Sequence, residues 1–302
     1  MSDPGAEQVK SVDIRVSEHA GFCWGVERAL EIARRAAESA PAPVRSLGPL
    51  IHNPGVIEDL ARQGIAVIDN PAEVNGGTVI IRSHGVEHEV TDALAARAVN
   101  LVDATCTFVK SAQEKAKRLR DQGYLVVILG EPEHPEVMGI RSYAGRDALV
   151  VEGPEDLPAE IVRSKVGVVV QTTQPPERLA ALVAALAPRV RELQVFNTIC
   201  SATEQRQTSA VSTAKSVDVV IVIGGRNSGN TTRLAELCAA VQPRTFHVEA
   251  AAEIQAEWLH NANSVGITAG ASTPPDQIEA VAARIRRIAQ QSDHDAPRKP
   301  GT

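Results

Sequence analysis

Short runs of consecutive apolar residues recur along the chain, and stretches with apolar residues at helical spacing lie between them. The pattern predicts strands over 12–17, 44–48, 65–68, 78–82, 99–103, 125–129, 148–151, 166–171, 193–197, 217–223, 244–248 and 264–268. It predicts helices over 25–38, 54–63, 88–96, 107–121, 136–142, 177–187, 202–215, 231–241 and 275–290. Strand–helix alternation of this kind indicates α/β units on parallel sheets. Strands that are apolar throughout, such as VVILG (126–130) and VVIVIGG (219–225), suit sheets covered on both faces. The charged, proline-containing ends, 1–11 and 291–302, read as disordered tails.

The pattern repeats. Three cysteines each follow a strand-like run and precede a helical one: Cys23 after VDIRV (12–16), Cys106 after NLVDA (100–104) and Cys200 after LQVFNTI (193–199). They lie 83 and 94 residues apart. A second feature recurs in phase, a strand ending in a polar cluster, with His52 at 29 residues past its cysteine and His134 and Ser228 at 28. A third follows, another strand ending in small polar residues, with His84, Thr172 and Ser272 at 61, 66 and 72 residues. Growing offsets are what loop insertions give. A threefold repeat of about ninety residues predicts three small α/β domains: 24–105, 106–199, and 12–23 together with 200–290. The cysteines and polar clusters all stand where strands run out, the ligand-binding side of open α/β sheets. Packing about a pseudo-threefold axis would bring those edges to a central cavity.

Composition narrows the chemistry. With 302 residues, two or three domains are expected, and 43% hydrophobic with 23% charged residues is ordinary for a globular protein. Aromatics make up only 3%, so the core must be aliphatic. A net charge of −6 argues against a nucleic-acid partner, whose phosphates require a basic face. No apolar run approaches the roughly 18–20 residues of a membrane span, and the first residues lack the apolar core of a signal peptide. A cytoplasmic protein is expected, in which thiols stay reduced and four cysteines are metal ligands, catalysts or core residues rather than disulfides. Cys238 joins Leu234, Leu237 and Val241 in a helical apolar stripe and is expected in the core.

Three soft ligands converging on one point suggest a metal centre with one coordination position open; unrelated core cysteines are the alternative. The spacing is not that of a zinc ribbon or a bacterial ferredoxin. It suits a [4Fe–4S] cluster held at three irons, and a helix start favours thiolate over thiol. The polar clusters offer His52, His84, His134, Thr172, Thr173, Asn227, Ser228, Asn230 and Ser272, groups that form an anion site at helix N-termini. GGRNSGNT (224–231) is glycine-rich and opens a helix, although it lacks the end of a Walker A loop. Each histidine taken alone is more often a hydrogen-bonded structural residue than a ligand for an anion. Glu136, two residues after His134, is either a proton donor with a raised pKa or a solvated glutamate at a helix start.

The motifs GFCWGVERAL, IHNP, RSHGV, DATC, HPEV, QTTQ, ICSAT with RQ at 206–207, NSGN before TRLAEL, and TAGAS occur in order between about residues 12 and 290. In them the chain closely resembles the LytB/IspH family of hydroxymethylbutenyl diphosphate reductases. The resemblance implies a three-domain α/β trefoil around one central [4Fe–4S] cluster, held by Cys23, Cys106 and Cys200 with the fourth iron open to the substrate hydroxyl. It implies that His52, His84 and His134 hold the diphosphate together with Asn227, Ser228, Gly229, Asn230 and Ser272, that Glu136 supplies protons, with His134 beside it in the catalytic set, and that Thr172 positions the substrate hydroxyl. The implied reaction is two-electron reductive dehydroxylation of 4-hydroxy-3-methylbut-2-enyl diphosphate to isopentenyl and dimethylallyl diphosphate, the last step of the methylerythritol phosphate route to isoprenoids. With no nicotinamide fingerprint in the chain, electrons are expected from a ferredoxin or flavodoxin. Three positions depart from the family pattern: Trp24 after the first cysteine, Thr107 after the second, and Gly229 where a serine is frequent.

Overall fold

A computed structural model describes residues 12–161, 164–226 and 228–294. Among them run twelve strands and nine α-helices. In chain order these are β1 (Asp13–Val16), α1 (Trp24–Ser39), β2 (Val44–Leu47), α2 (Pro54–Arg62), β3 (Ile65–Ile68), β4 (Thr78–Ile81), α3 (His88–Ala95), β5 (Asn100–Asp103) and α4 (Thr107–Asp121). There follow β6 (Leu125–Leu129), α5 (Pro135–Ala144), β7 (Leu149–Val151), β8 (Lys165–Val170), α6 (Pro176–Leu186), β9 (Glu192–Val195) and α7 (Ser201–Ala214). The last are β10 (Val219–Ile223), α8 (Gly229–Ala239), β11 (Thr245–Val248), β12 (Ser264–Ala269) and α9 (Pro275–His294). Every predicted strand and helix has a counterpart within a few residues. α9 continues past the expected end at 290 into the stretch read as the start of a tail, because IRRIAQQSDH holds no helix breaker. Residues 1–11 and 295–302, the rest of the two expected tails, lie outside the described residues.

The strands form three four-stranded sheets, with orders β3-β2-β4-β5, β7-β6-β8-β9 and β11-β10-β12-β1. Every pairing is parallel. Counted within each repeat, the order is 2-1-3-4 all three times, with the N-terminal β1 as the fourth strand of the last sheet. The fourth strand is in each case the one that leads to a cysteine. Strands 1 and 3 are the central neighbours between which the winding changes direction, and this switch point is where open α/β sheets bind ligands. The polar clusters containing His52, His134 and Ser228 follow strand 1; those containing His84, Thr172 and Ser272 follow strand 3.

By contact density the chain forms two compact units, residues 23–204, with the first two sheets, and residues 1–22 with 205–302, with the third. Both cores are aliphatic, and alternate residues of the central strands feed opposite faces. Leu125, Val127 and Leu129 pack on one side of β6, Val126 and Ile128 on the other. Val219, Ile221 and Ile223 of β10 likewise oppose Val220 and Val222. Cys238 is fully buried with the latter group, the core role expected of it. At Gly167 of β8 an added Cβ would lie 2.5 Å from Leu119 of α4, so only glycine lets this helix approach the strand so closely.

Candidate functional site

The unit 23–204 contains nine of the expected site residues. Cys23 and Cys106 are the N-cap residues of α1 and α4, and Cys200 immediately precedes α7. All three are half-buried free thiols. The first turns of α1 and α4 abut at Gly25, where an added Cβ would lie 2.7 Å from Cys106 Sγ and 3.8 Å from Cys23 Sγ. Cys200 is within electrostatic reach of both other thiols. The thiols do not behave as their helix positions alone predict. Burial raises the pKa of Cys106 and Cys200, and it outweighs the backbone N–H groups of Phe108 and Val109, and of Ala202 and Thr203, that favour their thiolates. Neighbouring thiols push in the same direction, so Cys106 and Cys200 are held toward the neutral thiol unless a cationic group shares the space. Among the described residues, no three His, Cys, Asp or Glu side chains are arranged to hold a single metal ion. Three half-buried thiols within electrostatic reach of one another are a soft donor set of the kind that an iron–sulfur group takes.

The same unit holds a three-histidine cluster. His52 follows β2, His84 follows β4 and His134 caps α5. The ring centroids are 4.5 Å apart for His52 and His84, 5.9 Å for His52 and His134, and 5.6 Å for His84 and His134. Local sequence explains the placement. In IHNP, Asn53 caps α2 by accepting from Val56 N–H at 3.2 Å, and Pro54 is its first residue. In HPEV, His134 Nδ1 accepts from the Glu136 backbone N–H at 3.1 Å, and Pro135 follows. That contact commits Nδ1 as acceptor and leaves Nε2–H as the donor. Burial lowers the pKa of all three imidazoles: His134 to about 4, and His84, also pressed by its two neighbours, well below its ordinary value. The Nδ1 of His84 is buried without a hydrogen-bond partner. Such a group has a place for a ligand oxygen.

The sequence reading passed over Arg82. It sits at the end of β4, two residues before His84, and its half-buried guanidinium acts electrostatically on all three histidines. Its Nε donates to Gly85 O at 3.3 Å, and any side chain at Gly48 (φ +70°) would overlap its head group. The signal was present: an arginine inside the RSHG strand end, a position where a cation has no core to fill.

Glu136 is 1% exposed, which excludes the solvated glutamate. Thr172 N–H donates to Oε1 at 2.6 Å and Thr172 Oγ1 to Oε2 at 2.9 Å. Burial raises the Glu136 pKa to about 7; the Thr172 donors oppose that rise without cancelling it. The carboxyl is within electrostatic reach of Cys106. Thr172 is fixed in turn, its carbonyl accepting from Cys200 N–H at 2.9 Å. Thr173 Oγ1 instead accepts from Gln171 Nε2 at 3.1 Å. One continuous set of contacts therefore joins an acid to a cysteine corner.

The remaining expected residues belong to the unit 1–22 with 205–302. Ser228 caps α8, accepting from Thr231 N–H at 3.3 Å, and Gly229 and Asn230 form the helix's first turn. Thr231, fully buried, fills a gap that only the glycines at 224 and 270 leave open. Ser272 follows β12 in the turn before α9. Asn227 lies outside the described residues.

Three parallel four-stranded sheets define a multi-sheet α/β protein, and its unit 23–204 holds a trio of thiols, a buried acid and a cluster of three histidines. Residues 14–286 match the family model described as LytB protein, and the chain belongs to that family. It is 46% identical over 274 residues to the 4-hydroxy-3-methylbut-2-enyl diphosphate reductase of Pelobacter propionicus, covering 90% of this chain and 97% of that protein. It is 43% identical over 282 residues to the reductase of the same name from Aquifex aeolicus, covering 92% and 98%. Its fold is similar, with a TM-score of 0.73 and 44% identity, to a solved structure described as (E)-4-hydroxy-3-methyl-but-2-enyl diphosphate reductase, the terminal enzyme of the non-mevalonate pathway, over 91% of this chain and 99% of that one. A Plasmodium falciparum structure described as E-1-hydroxy-2-methyl-but-2-enyl-4-diphosphate reductase shares the fold at 23% identity, with a TM-score of 0.83 over 90% and 87% of the two chains. No helix among the described residues is long and apolar enough to cross a membrane.

Proposed function

We propose that this chain is a 4-hydroxy-3-methylbut-2-enyl diphosphate reductase, forming isopentenyl and dimethylallyl diphosphate. The observation that carries the proposal is Glu136: a carboxyl removed from water, with a pKa pushed up to about 7, held by both donors of Thr172 and within electrostatic reach of Cys106. Reductive dehydroxylation of an allylic alcohol consumes two electrons and two protons and releases water. It therefore needs an acid still protonated near neutral pH. Cys23, Cys106 and Cys200 would hold a [4Fe–4S] cluster, which when bound would supply single electrons and a Lewis acid. Thr172 sets the orientation of Glu136 and reaches the substrate hydroxyl. His52, His84 and His134, with the Arg82 cation behind them, take the diphosphate, His134 donating through Nε2. Ser228, Gly229, Asn230 and Ser272, with Asn227, are the anion donors of the other unit. Residues 24–105, 106–199, and 12–23 with 200–290 are the three domains. The protein works in the cytoplasm with electrons from a ferredoxin or flavodoxin.

The test is anaerobic. The protein is reconstituted with iron and sulfide, both are quantified, and substrate consumption is followed with a reduced one-electron dye. The expected result is turnover that Glu136→Gln lowers by roughly 10²–10⁴-fold without changing iron content. A reconstituted protein that consumes no substrate, or a Glu136→Gln variant with unchanged turnover, contradicts the assignment.

A further inference from the structure

The few aromatic residues of this chain are unevenly placed. There are eight in 302 residues, and three of them stand at cysteine corners of one compact unit. Trp24 follows Cys23 directly, Phe108 is two residues past Cys106, and Phe196 is four residues before Cys200. Packing does not account for them, since Trp24 is 59% and Phe108 38% exposed. Phe196 contributes to a core, lying half-buried against the α4 side of its sheet. Trp24 lies in the chain between Cys23 and Gly25, the point at which Cys23 Sγ and Cys106 Sγ come together, so an exposed aromatic residue is placed at the thiol pair.

The charge on this surface is opposite to that of the whole protein. α4 carries Lys110, Lys115, Lys117, Arg118 and Arg120 against Glu114 and Asp121, in a chain of net charge −6. Lys110 is paired with Asp103 at 2.6 Å and Arg120 with Asp121 at 2.7 Å. Lys115 and Arg118 form no ion pair among the described residues; they stand over the Phe196 ring, 5.9 and 5.7 Å from its centroid. Phe108 and Lys115, seven residues apart on the helix, share one face. Exposed aromatics beside unpaired cations have the composition of a protein interface, with apolar contact at the centre and charge at the edge to steer an oppositely charged partner.

We propose that Trp24, Phe108, Phe196, Lys115 and Arg118 form the docking surface for an acidic one-electron carrier protein. The proposal rests on the reductase reading and says where its electrons enter. Each docking oxidises the carrier by one electron and reduces the site by one. Two dockings with two protons balance the conversion of one allylic alcohol to alkene and water. The aromatic edge places the carrier against Cys23 and Cys106, while the cations select its acidic face.

The experiment uses the reconstituted holoenzyme, an oxidised acidic [2Fe–2S] ferredoxin as probe and basic cytochrome c as control. Calorimetric titration gives the dissociation constants. Turnover is measured in parallel with reduced ferredoxin and with a reduced small dye. Trp24→Ser and the pair Lys115→Glu with Arg118→Glu are expected to weaken ferredoxin binding by about tenfold or more and to raise its KM, with dye-driven turnover and the visible spectrum unchanged. The loss for the charge pair shrinks as salt rises, and cytochrome c binds the unaltered protein more weakly than ferredoxin does. Unchanged ferredoxin binding in both variants overturns the proposal, as does an equal fall of dye-driven and ferredoxin-driven turnover, which marks a structural role. Sedimentation showing a dimer that Trp24→Ser dissociates assigns the face to a second copy of the chain and also overturns it. Absence of dye-driven turnover in the unaltered protein rejects the reductase reading instead.

Discussion

At the scale of single residues the candidate site is governed by burial. Glu136 and the histidines are removed from water, and in each case burial favours the neutral form. The consequences have opposite signs. A carboxyl whose folded pKa is raised adds stability that is present below its unfolded value near 4.5 and lost as pH rises through about 7. Glu136→Gln is therefore expected to flatten the fall in thermal stability over that window, by an amount on the order of 3 kcal/mol; melts of both proteins across the range check it. Thr172→Val removes the hydroxyl that donates to Oε2, a contact that favours the carboxylate. The apparent pKa assigned to Glu136 in the pH–rate profile should move up, and a downward move contradicts the assignment. For the histidines an anion restores the charged form that burial suppresses. Inhibition by sulfate, whose own charge is constant in this range, should strengthen as pH falls from about 8 to about 6 and should weaken in His134→Ala. The cysteines and histidines were legible in the sequence because they repeat in phase. Whether Glu136 was an acid or a surface glutamate was not, because burial is a property of the packed whole and HPEV reads the same in either case.

At the scale of elements, the hydrophobic pattern was enough to place every strand and helix, since fully buried parallel strands and amphipathic helices differ in period and length. The strand order was not in that pattern. Nothing in NLVDA or LQVFNTI tells that β5 and β9 are the fourth strands of their sheets, because edge position depends on pairings with distant segments. Contacts between helices were equally hidden, and Gly25 illustrates it. In the sequence it is one of 21 glycines; in the fold it is where α1 and α4 touch through their cysteines. Gly25→Ala places a methyl 2.7 Å from Cys106 Sγ, so one helix start must move. The expected outcome is a protein with unchanged far-ultraviolet circular dichroism and clearly reduced iron and sulfide after reconstitution. Stability should fall by about 1–3 kcal/mol. By contrast Gly64, whose Cβ position faces open space, tests backbone strain alone at φ +88°, and Gly64→Ala should leave iron content intact.

At the scale of the whole molecule, the three repeats have kept one topology and divided its work. All three sheets run 2-1-3-4 and all present polar residues after strands 1 and 3. In the unit 23–204 these residues are histidines, an acid and a threonine; in the other unit they are hydroxyls and amides at a helix start. The three thiols, although contributed by three repeats, all fall within the unit 23–204. On the proposed ligand set the two units should respond differently to loss of the bound group. A ligand that binds only the folded state stabilises the part that holds it, and ligation by three thiolates 83 and 94 residues apart would tie long segments of one unit together. The other unit keeps its own sheet and its own core around Ile221, Ile267 and Ile285. Removal of iron by a chelator under anaerobic conditions should therefore lower the calorimetric transition of the unit 23–204 by several degrees or more. The transition of the other unit should hold nearly constant. Cys106→Ser should reproduce the chelated profile before any chelator is added. A single transition that shifts as a whole would show instead that the units melt as one cooperative body.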